Sequence, residues 1–320
     1  MSINLCSKLK IGFLNPISAE WMHLYKDKIQ QVSRIDEADY IIFESNGDPI
    51  HMIMKILNTF PKKKIVFILS GDQSFHIDNE CIWFTNAIPV SGLARYQTQI
   101  FVTNPAIFKY IENHRAVDSR VISMENRNID IYFKGTIWMG MREEMYSFFT
   151  ESHHPIMSCL IEKNNNYWEW RLNRHIKPTQ NEIENESFKT YDTMMNSKLC
   201  LCPKGNGNSS MRIIEALGCG SIPVLINDFS CPFGMSWEDA GVVLSFDTKI
   251  HKWYYIYEEC YKLIKDTERY EKMQKKGQEY FYNVIYKDSQ LEGFKLYNNL
   301  DTVAFGFSNL IVEKLFDLKK

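Results

Sequence analysis

The chain has 320 residues, of which 45% are hydrophobic and 24% are charged, and its formal net charge is −2. These values are typical of a globular protein with two domains of ordinary size. A net charge so close to zero excludes a general attraction for nucleic acid, and no apolar segment reaches the ~20 residues of a membrane span. Because the eight cysteines follow no disulfide spacing and no leader segment is apparent, we expect a cytoplasmic protein.

Short apolar segments alternate with helical patterns over residues 1–125. The predicted strands are Lys10–Leu14, Tyr40–Phe43, Lys64–Leu69, Ile82–Phe84 and Ile100–Val102, and the predicted helices are Ser18–Val32, Pro49–Phe60 and a segment from Asn104 toward Asn113. This alternation predicts a Rossmann-like domain. The polar segment Ser119–Asn128 marks its predicted end.

The segment Lys198–Phe246 predicts a strand, a loop, a helix and two further strands. These elements are the strand Leu199–Cys202, the polar loop Pro203–Asn208, a helix with Ser209 or Ser210 as N-cap that ends at Gly218 and Gly220, and the strands Ile222–Ile226 and Gly241–Phe246. The loop follows the carboxyl end of a strand, where parallel α/β folds bind ligands. We therefore expect the functional site there.

The residue types of this loop suit an anionic ligand. Gly205 and Gly207 allow backbone amides to approach an anion, and the helix N-terminus, Lys204 and Arg212 add positive charge. Arg212 and Glu215 share one face of the helix, so the guanidinium would bind a diphosphate and the carboxylate the hydroxyls of a ribose. A solvated ion pair on a surface helix is the alternative interpretation.

Several ordered segments resemble the C-terminal signature of the exostosin-like glycosyltransferases. They are SKLCLCPKG at 197–205, SMRIIEAL at 210–217, GSIPVL at 220–225, Pro232-Phe233 and Trp237, with an upstream match at Phe133-Lys134-Gly135 and Arg142. The resemblance implies a GT-B fold, in which two Rossmann-like domains face a cleft. It places an acceptor domain at 1–125, a nucleotide-sugar domain at 126–286, and a helical tail at 287–320 that packs back on the first domain.

The resemblance further implies a transferase that moves a sugar from a nucleoside diphosphate sugar, most simply a UDP-sugar, to a glycan hydroxyl with inversion. The expected donor-binding residues are Lys134, Arg142, Lys204, Gly205, Asn208, Ser209, Ser210, Arg212 and Glu215. No Asp-x-Asp triplet occurs in the chain, so we expect basic side chains to neutralise the diphosphate without a metal or another cofactor.

The catalytic base is expected in the first domain. Asp72 and His76 follow the predicted strand Lys64–Leu69, where such a sheet presents its functional loops, and either would take the proton of the acceptor hydroxyl. Asp48 and Glu44, at the end of the preceding predicted strand, are the reserve candidates.

Two alternatives remain open at the level of sequence. A fucosyltransferase-like GT-B enzyme would use a GDP-sugar, and a non-catalytic glycan-binding or partner protein would keep the fold without turnover. Basic and aromatic residues in the helical segments Lys252–Tyr286 and Leu291–Leu318 also leave peripheral membrane contact or oligomeric contact open.

Overall fold

The computed structural model describes residues 8–14, 27–45, 50–69, 80–85, 96–99, 102–103, 106–114, 123–137, 140–151, 156–164, 179–204, 210–226, 241–286, 304–305 and 308–319. The strands within these ranges are β1 Leu9–Phe13, β2 Ile29–Gln31, β3 Tyr40–Ser45, β4 Ile65–Leu69, β5 Ile82–Thr85, β6 Tyr96–Gln99, β7 Val102–Thr103, β8 Ile129–Gly135, β9 Cys159–Lys163, β10 Ser197–Pro203, β11 Ile222–Ile226, β12 Leu244–Phe246 and β13 Ala304–Phe305. The α-helices are α1 Ile50–Thr59, α2 Ala106–His114, α3 Met141–Glu151, α4 Gln180–Met195, α5 Met211–Gly218, α6 Trp253–Lys265, α7 Thr267–Tyr280 and α8 Ser308–Lys319.

Six parallel strands form the first sheet in the order β2-β1-β3-β4-β5-β6. Its central strand β4 is buried on both faces, as its unbroken apolar sequence predicts. Ile65, Phe67 and Leu69 pack with the inner side of α1, whereas Val66 and Ile68 pack with the side chains of α8. The first sheet is thus covered by helices on both faces.

One predicted element in this half is wrong over its last residues. The helix predicted over Ser18–Val32 gives way to the strand β2, which pairs in parallel with β1. Ile29 is buried while Gln30 and Gln31 are exposed, so only one side chain of this edge strand contacts the core. A pattern with a single buried residue is too short to distinguish a strand from a helix.

The second sheet has five parallel strands in the order β12-β11-β10-β8-β9. The first five strands of each half take the same positions. The second strand lies at one edge, followed by the first, third, fourth and fifth. Cys200 and Cys202 face α2, α4 and α5, whereas Leu199 and Leu201 face α3, α6 and α7. Two doubly wound, Rossmann-like halves in one chain confirm the predicted GT-B fold class.

Two helices pack against a sheet from which they are separated in the sequence. α2 packs against the second sheet, and α8 packs against the first. The helix α2 precedes the predicted boundary near residue 125, yet Ile107, Phe108 and Ile111 are part of the core beside β10 and α5. The helix α8 follows the second sheet, yet Leu315 is fully buried in the core of the first. The short strands that precede these helices, β7 before α2 and β13 before α8, pair antiparallel with each other. The C-terminal helix therefore returns to the first sheet, while the exact domain limits remain a prediction.

The packing of α8 predicts a large effect from a single truncation. We expect Leu315→Ala to lower the free energy of unfolding by about 2–4 kcal/mol, because a fully buried leucine leaves a cavity when it is shortened. Urea unfolding followed by circular dichroism measures the change. The control Lys319→Ala removes only an ion pair at the surface and is expected to cost less than about 1 kcal/mol. Equal effects of the two variants would contradict this packing.

A second prediction concerns the ion pair that holds the end of α8. Burial acts to raise the pKa of Asp39, but the ammonium of Lys319 and the backbone amide of Lys10, each 2.8 Å from Asp39 Oδ2, hold that pKa below its usual value. A carboxyl whose folded pKa is depressed adds stability above its unfolded pKa of about 3.9 and loses it as the pH falls through the folded value.

We therefore expect the stability difference between the wild type and Asp39→Asn to be present at neutral pH and to shrink as the pH falls below about 4. Urea titrations at several pH values measure it. Asp36→Asn, at an exposed carboxylate of the same half, is the control. A stability difference for Asp39→Asn that stays constant down to the lowest pH would disprove the assignment.

Candidate functional site

The site begins where β8 and β10 end side by side. The order of the second sheet reverses between these two strands, and in open parallel sheets ligands bind at the carboxyl ends of the strands at such a reversal. Lys134 lies near the end of β8, and Pro203 and Lys204 lie at the end of β10. Residues about 70 apart in the sequence thus meet at one edge of the sheet.

Arg142 fixes the ends of these strands. Its Nη1 donates to the carbonyl of Thr136 at 3.0 Å, its Nε to the carbonyl of Lys204 at 3.0 Å, and its Nη2 to the carbonyl of Pro203 at 3.3 Å. The guanidinium also lies 5.9 Å from the centre of the Phe133 ring. Arg142 thus holds in place the two backbone segments that lead into the site. The direct contact with the donor that the sequence predicts for it stays a prediction.

The first turn of α5 carries a buried ion pair. Arg212 donates to Glu215 Oε2, and the hydroxyl of Tyr191 on α4 donates to Glu215 Oε1 at 3.1 Å. The side chain of Glu215 is 2% exposed and that of Arg212 is 21% exposed. The alternative of a solvated surface pair is therefore wrong. The pair lies inside the protein, with the side chain of Arg212 more exposed than that of Glu215.

Burial and charge act in opposite directions on this pair. Burial acts to lower the pKa of Arg212, but the carboxylate of Glu215 outweighs it and raises that pKa above its ordinary value. Burial, together with Glu215, raises the pKa of Tyr191 well above that of a free tyrosine. Arg212 thus stays charged and Tyr191 stays a neutral donor over the whole physiological pH range.

Lys134 and Arg212 come together through the backbone of β8. Arg212 Nε donates to the carbonyl of Lys134 at 3.0 Å. The ammonium of Lys134 forms an ion pair of 2.6 Å with Glu186 on α4, and its side chain is 13% exposed. Beside it, the hydroxyl of the fully buried Tyr132 donates to Glu162 at 3.2 Å. Two cations are thereby held at one strand end by carboxylates from neighbouring elements.

The remaining predicted donor-binding residues follow β10. Ser210 is the N-cap of α5 by its backbone conformation, but its side chain makes no capping hydrogen bond. Lys204 is half-buried, and its amide donates to the carbonyl of Ile226 at 3.3 Å. Gly205, Asn208 and Ser209 lie outside the described residues.

The proposed catalytic residues are not tested by the geometry. Asp72 and His76, and the reserve Asp48, lie outside the described residues, and Glu44 is described only as part of the backbone of β3.

Among the residues that are described, no three His, Cys, Asp or Glu side chains lie together so as to hold a metal ion. No helix in the described ranges is long and apolar enough to cross a membrane.

A model of the exostosin GT47 domain matches residues 85–258. The match covers more than half of the chain and includes the whole strand-end site described above. The chain belongs to the exostosin GT47 family of glycosyltransferases. Lys134, Arg142, Arg212 and Glu215 all lie within the matched region.

Curated relatives extend this assignment over shorter segments. A protein described as a probable glycosyltransferase from Arabidopsis thaliana is 44% identical over 98 residues, which are 30% of this chain and 18% of that protein. Exostosin-1 from Drosophila melanogaster is 27% identical over 124 residues, which are 37% of this chain and 16% of that protein. The chain thus spans less than a fifth of the length of these relatives.

One solved structure aligns with this chain over nearly the whole length of both chains. A glycosyltransferase from Rickettsia africae aligns over 98% of each chain at 11% sequence identity, with a TM-score of 0.44. At that level the similarity adds nothing to the fold class, which is assigned from the strand order of the two sheets.

Sequence reasoning missed the residues that support the site from α4 and β9. Tyr191, Glu186 and Glu162 lie outside the matched motifs and follow no motif of their own. The only local signal was the Thr179-x-x-Glu182 capping box, which positions α4 and predicts that a helix begins there. No sequence feature predicted that this helix would cover the ends of β8 and β10.

The buried pair predicts that one-sided changes are costly. We expect Glu215→Ala to lower the free energy of unfolding by about 3–5 kcal/mol, because it leaves the guanidinium of Arg212 without its counter-ion and the hydroxyl of Tyr191 without its acceptor. Chemical denaturation measures the loss.

The double variant Arg212→Met/Glu215→Leu is the control for this prediction. Apolar replacement of both partners is expected to recover the part of the loss that comes from the unpaired guanidinium, while the hydroxyl of Tyr191 still lacks its acceptor. If Glu215→Ala were as stable as the wild type, the pair would not be buried as described.

Proposed function

We propose that this chain transfers a sugar from a nucleoside diphosphate sugar, most simply a UDP-sugar, to a hydroxyl of a glycan, with inversion and without a metal. The observation that carries the proposal is the pair of cations, Lys134 and Arg212, at the reversal between β8 and β10. A diphosphate placed there would accept charge-assisted hydrogen bonds, which are roughly twice as strong as neutral ones. The N-terminus of α5 adds a partial positive charge at the same edge.

Arg212 suits the diphosphate because its position is fixed before a ligand binds. Glu215 and the carbonyl of Lys134 hold two of its donor groups, and the guanidinium has five N–H donors in all. Donors that are already oriented lose little conformational entropy on binding. Lys204, at the end of β10, adds a third positive charge from the other strand.

Glu215 is proposed to contact the ribose in addition to its structural contacts. Each of its oxygens accepts one hydrogen bond in the structure, from Arg212 and from Tyr191. A carboxylate has about four acceptor positions. A ribose hydroxyl would therefore add to these bonds without replacing them.

The base that activates the acceptor is proposed to come from the first sheet. Asp72 or His76, which follow β4 in the sequence, is the first choice, and Asp48 or Glu44 is the reserve. The order of the first sheet reverses between β1 and β3, and Asp48 follows β3. Ligand sites in such sheets lie at a reversal of this kind. A mutational test of the base therefore covers Asp48 as well as Asp72 and His76.

Lys134 and Lys198 offer a matched test of the donor site. Both form an ion pair of 2.6 Å with an acidic residue, and both are largely buried, but Lys134 lies at the carboxyl end of its strand and Lys198 near the amino end of the neighbouring one. We expect Lys134→Gln to weaken UDP binding by about 10- to 100-fold, the range for one lost hydrogen bond to a charged group. Lys198→Gln is expected to change binding less than twofold.

Calorimetry with UDP, GDP and CDP, in EDTA and in Mn²⁺, measures these affinities on the full chain. Preferential binding of GDP would replace the UDP proposal with the fucosyltransferase-like alternative, and a strict requirement for Mn²⁺ would overturn metal independence. Binding without any transfer or hydrolysis of a UDP-sugar would favour the non-catalytic alternative. Where transfer occurs, the anomeric configuration of the product decides whether the enzyme inverts.

A further inference from the structure

Two carboxylates lie at the proposed diphosphate site, and the structure holds them differently. Glu215 is 2% exposed and accepts hydrogen bonds from Arg212 and Tyr191. Glu186 on α4 is 29% exposed, and its Oε1 lies 2.6 Å from the ammonium of Lys134. Glu215 is therefore fixed within the core of the second half, whereas the carboxylate of Glu186 pairs with its cation nearer to solvent.

The pair of Lys134 with Glu186 has a structural role. The side chain of Lys134 is 13% exposed, and a largely buried ammonium is costly without a counter-ion. Glu186 supplies that counter-ion. An ammonium has three donor hydrogens, so Lys134 can bind a phosphate oxygen while it keeps its bond to Glu186. The carboxylate then becomes a like charge beside the ligand.

The geometry of the pair limits how far apart these two anions can be. Glu186 Oε1 lies 2.6 Å from Lys134 Nζ, and a phosphate oxygen bound to the same nitrogen would lie ~2.9 Å from it. With Glu186 in this position, the two oxygens would be at most ~5.5 Å apart, whatever the direction of the ligand. That separation is shorter than the Debye length of about 8 Å in physiological salt, so the repulsion is not screened out.

The product of sugar transfer carries more negative charge than the donor. In a nucleoside diphosphate sugar both phosphates are esterified and carry about two negative charges together, whereas the free diphosphate has a terminal phosphate with a second pKa of about 6 and carries about three. Lys134, Arg212 and Lys204 bring positive charge to this edge, and Glu186 and Glu215 offset part of it. A carboxylate on Lys134 therefore opposes the product more strongly than the donor.

We propose that Glu186 weakens the binding of the nucleoside diphosphate product relative to that of the sugar donor, and thereby speeds product release. This role rests on the proposed function, because it requires a diphosphate at Lys134. Product release limits the turnover of many enzymes, so a charge that favours release would raise turnover. Loss of this charge is expected to tighten nucleotide binding. A residue that only held Lys134 in place would have the opposite effect when it is changed.

The test is calorimetry at pH 7.5 on the full chain and on Glu186→Gln, which keeps the size of the side chain and an acceptor oxygen for Lys134. The ligands are whichever of UDP, GDP and CDP the wild type binds most tightly, and the glucose conjugate of that nucleotide. We expect Glu186→Gln to bind the free nucleotide about 10- to 30-fold more tightly, and the conjugate about 3- to 10-fold more tightly. Both gains are expected to shrink with added salt.

Glu184→Gln is the matched control, because Glu184 lies on the same helix but pairs with Lys109 on α2. It is expected to leave both affinities within about twofold of the wild type. The role of Glu186 is overturned if Glu186→Gln weakens nucleotide binding or leaves it unchanged, or if the two ligands gain equally. It is also overturned if Glu184→Gln produces the same gain.

Lys134→Gln separates this role from the proposed function. If Lys134→Gln weakens nucleotide binding while Glu186→Gln does not tighten it, the donor site stands and the role of Glu186 is wrong. If the wild type binds no nucleoside diphosphate, or if Lys134→Gln binds as tightly as the wild type, both are wrong. Thermal unfolding checks that each variant is folded. Glu186→Ser, which removes the charge without replacing the hydrogen bond, is a second variant with the same expected direction.

Discussion

The parallel pairing of β8 with β10 is the interaction on which the site depends. It brings Lys134 and Lys204 to one edge of the sheet, and an arginine secures the pair at each end. Arg142 donates to backbone carbonyls after both strands at the carboxyl edge, and Arg127 donates to the carbonyls of Ser197 and Cys219 at the other edge. Because a guanidinium has five donors in a fixed plane, one side chain can satisfy several carbonyls that the sheet and helices leave unpaired.

The helices around this edge have a second role beyond packing. α5 supplies the ion pair of Arg212 and Glu215. α4 supplies Tyr191, which donates to Glu215, and Glu186, which pairs with Lys134. Charges held this far from water interact more strongly than they would at the surface, and they need several partners to be tolerated there. The same arrangement that makes the site costly to disturb also keeps its cations oriented before any ligand arrives.

The two halves of the chain are joined by more than a linker. The helix α2 packs in the core of the second half, and α8 packs in the core of the first, with β7 and β13 paired between them. A division of the chain by sequence position alone therefore separates elements that share a hydrophobic core. Because α8 packs on the first sheet, the C-terminal residues contribute to the stability of that sheet. They do so through the buried Leu315 and the ion pair of Lys319 with Asp39.

The sequence by itself determined the family, the α/β class, most of the strands and the placement of Arg212 and Glu215 on one face of a helix. These follow from local patterns, namely apolar segments of strand length, glycines that end a helix, and side chains three residues apart on one turn. Only the tertiary structure decided that this pair is buried, that Arg142 serves the backbone, and that Tyr191, Glu186 and Glu162 support the site. Those outcomes depend on which elements the strand order places side by side, and contacts between residues that are distant in sequence leave no periodic signal along the chain.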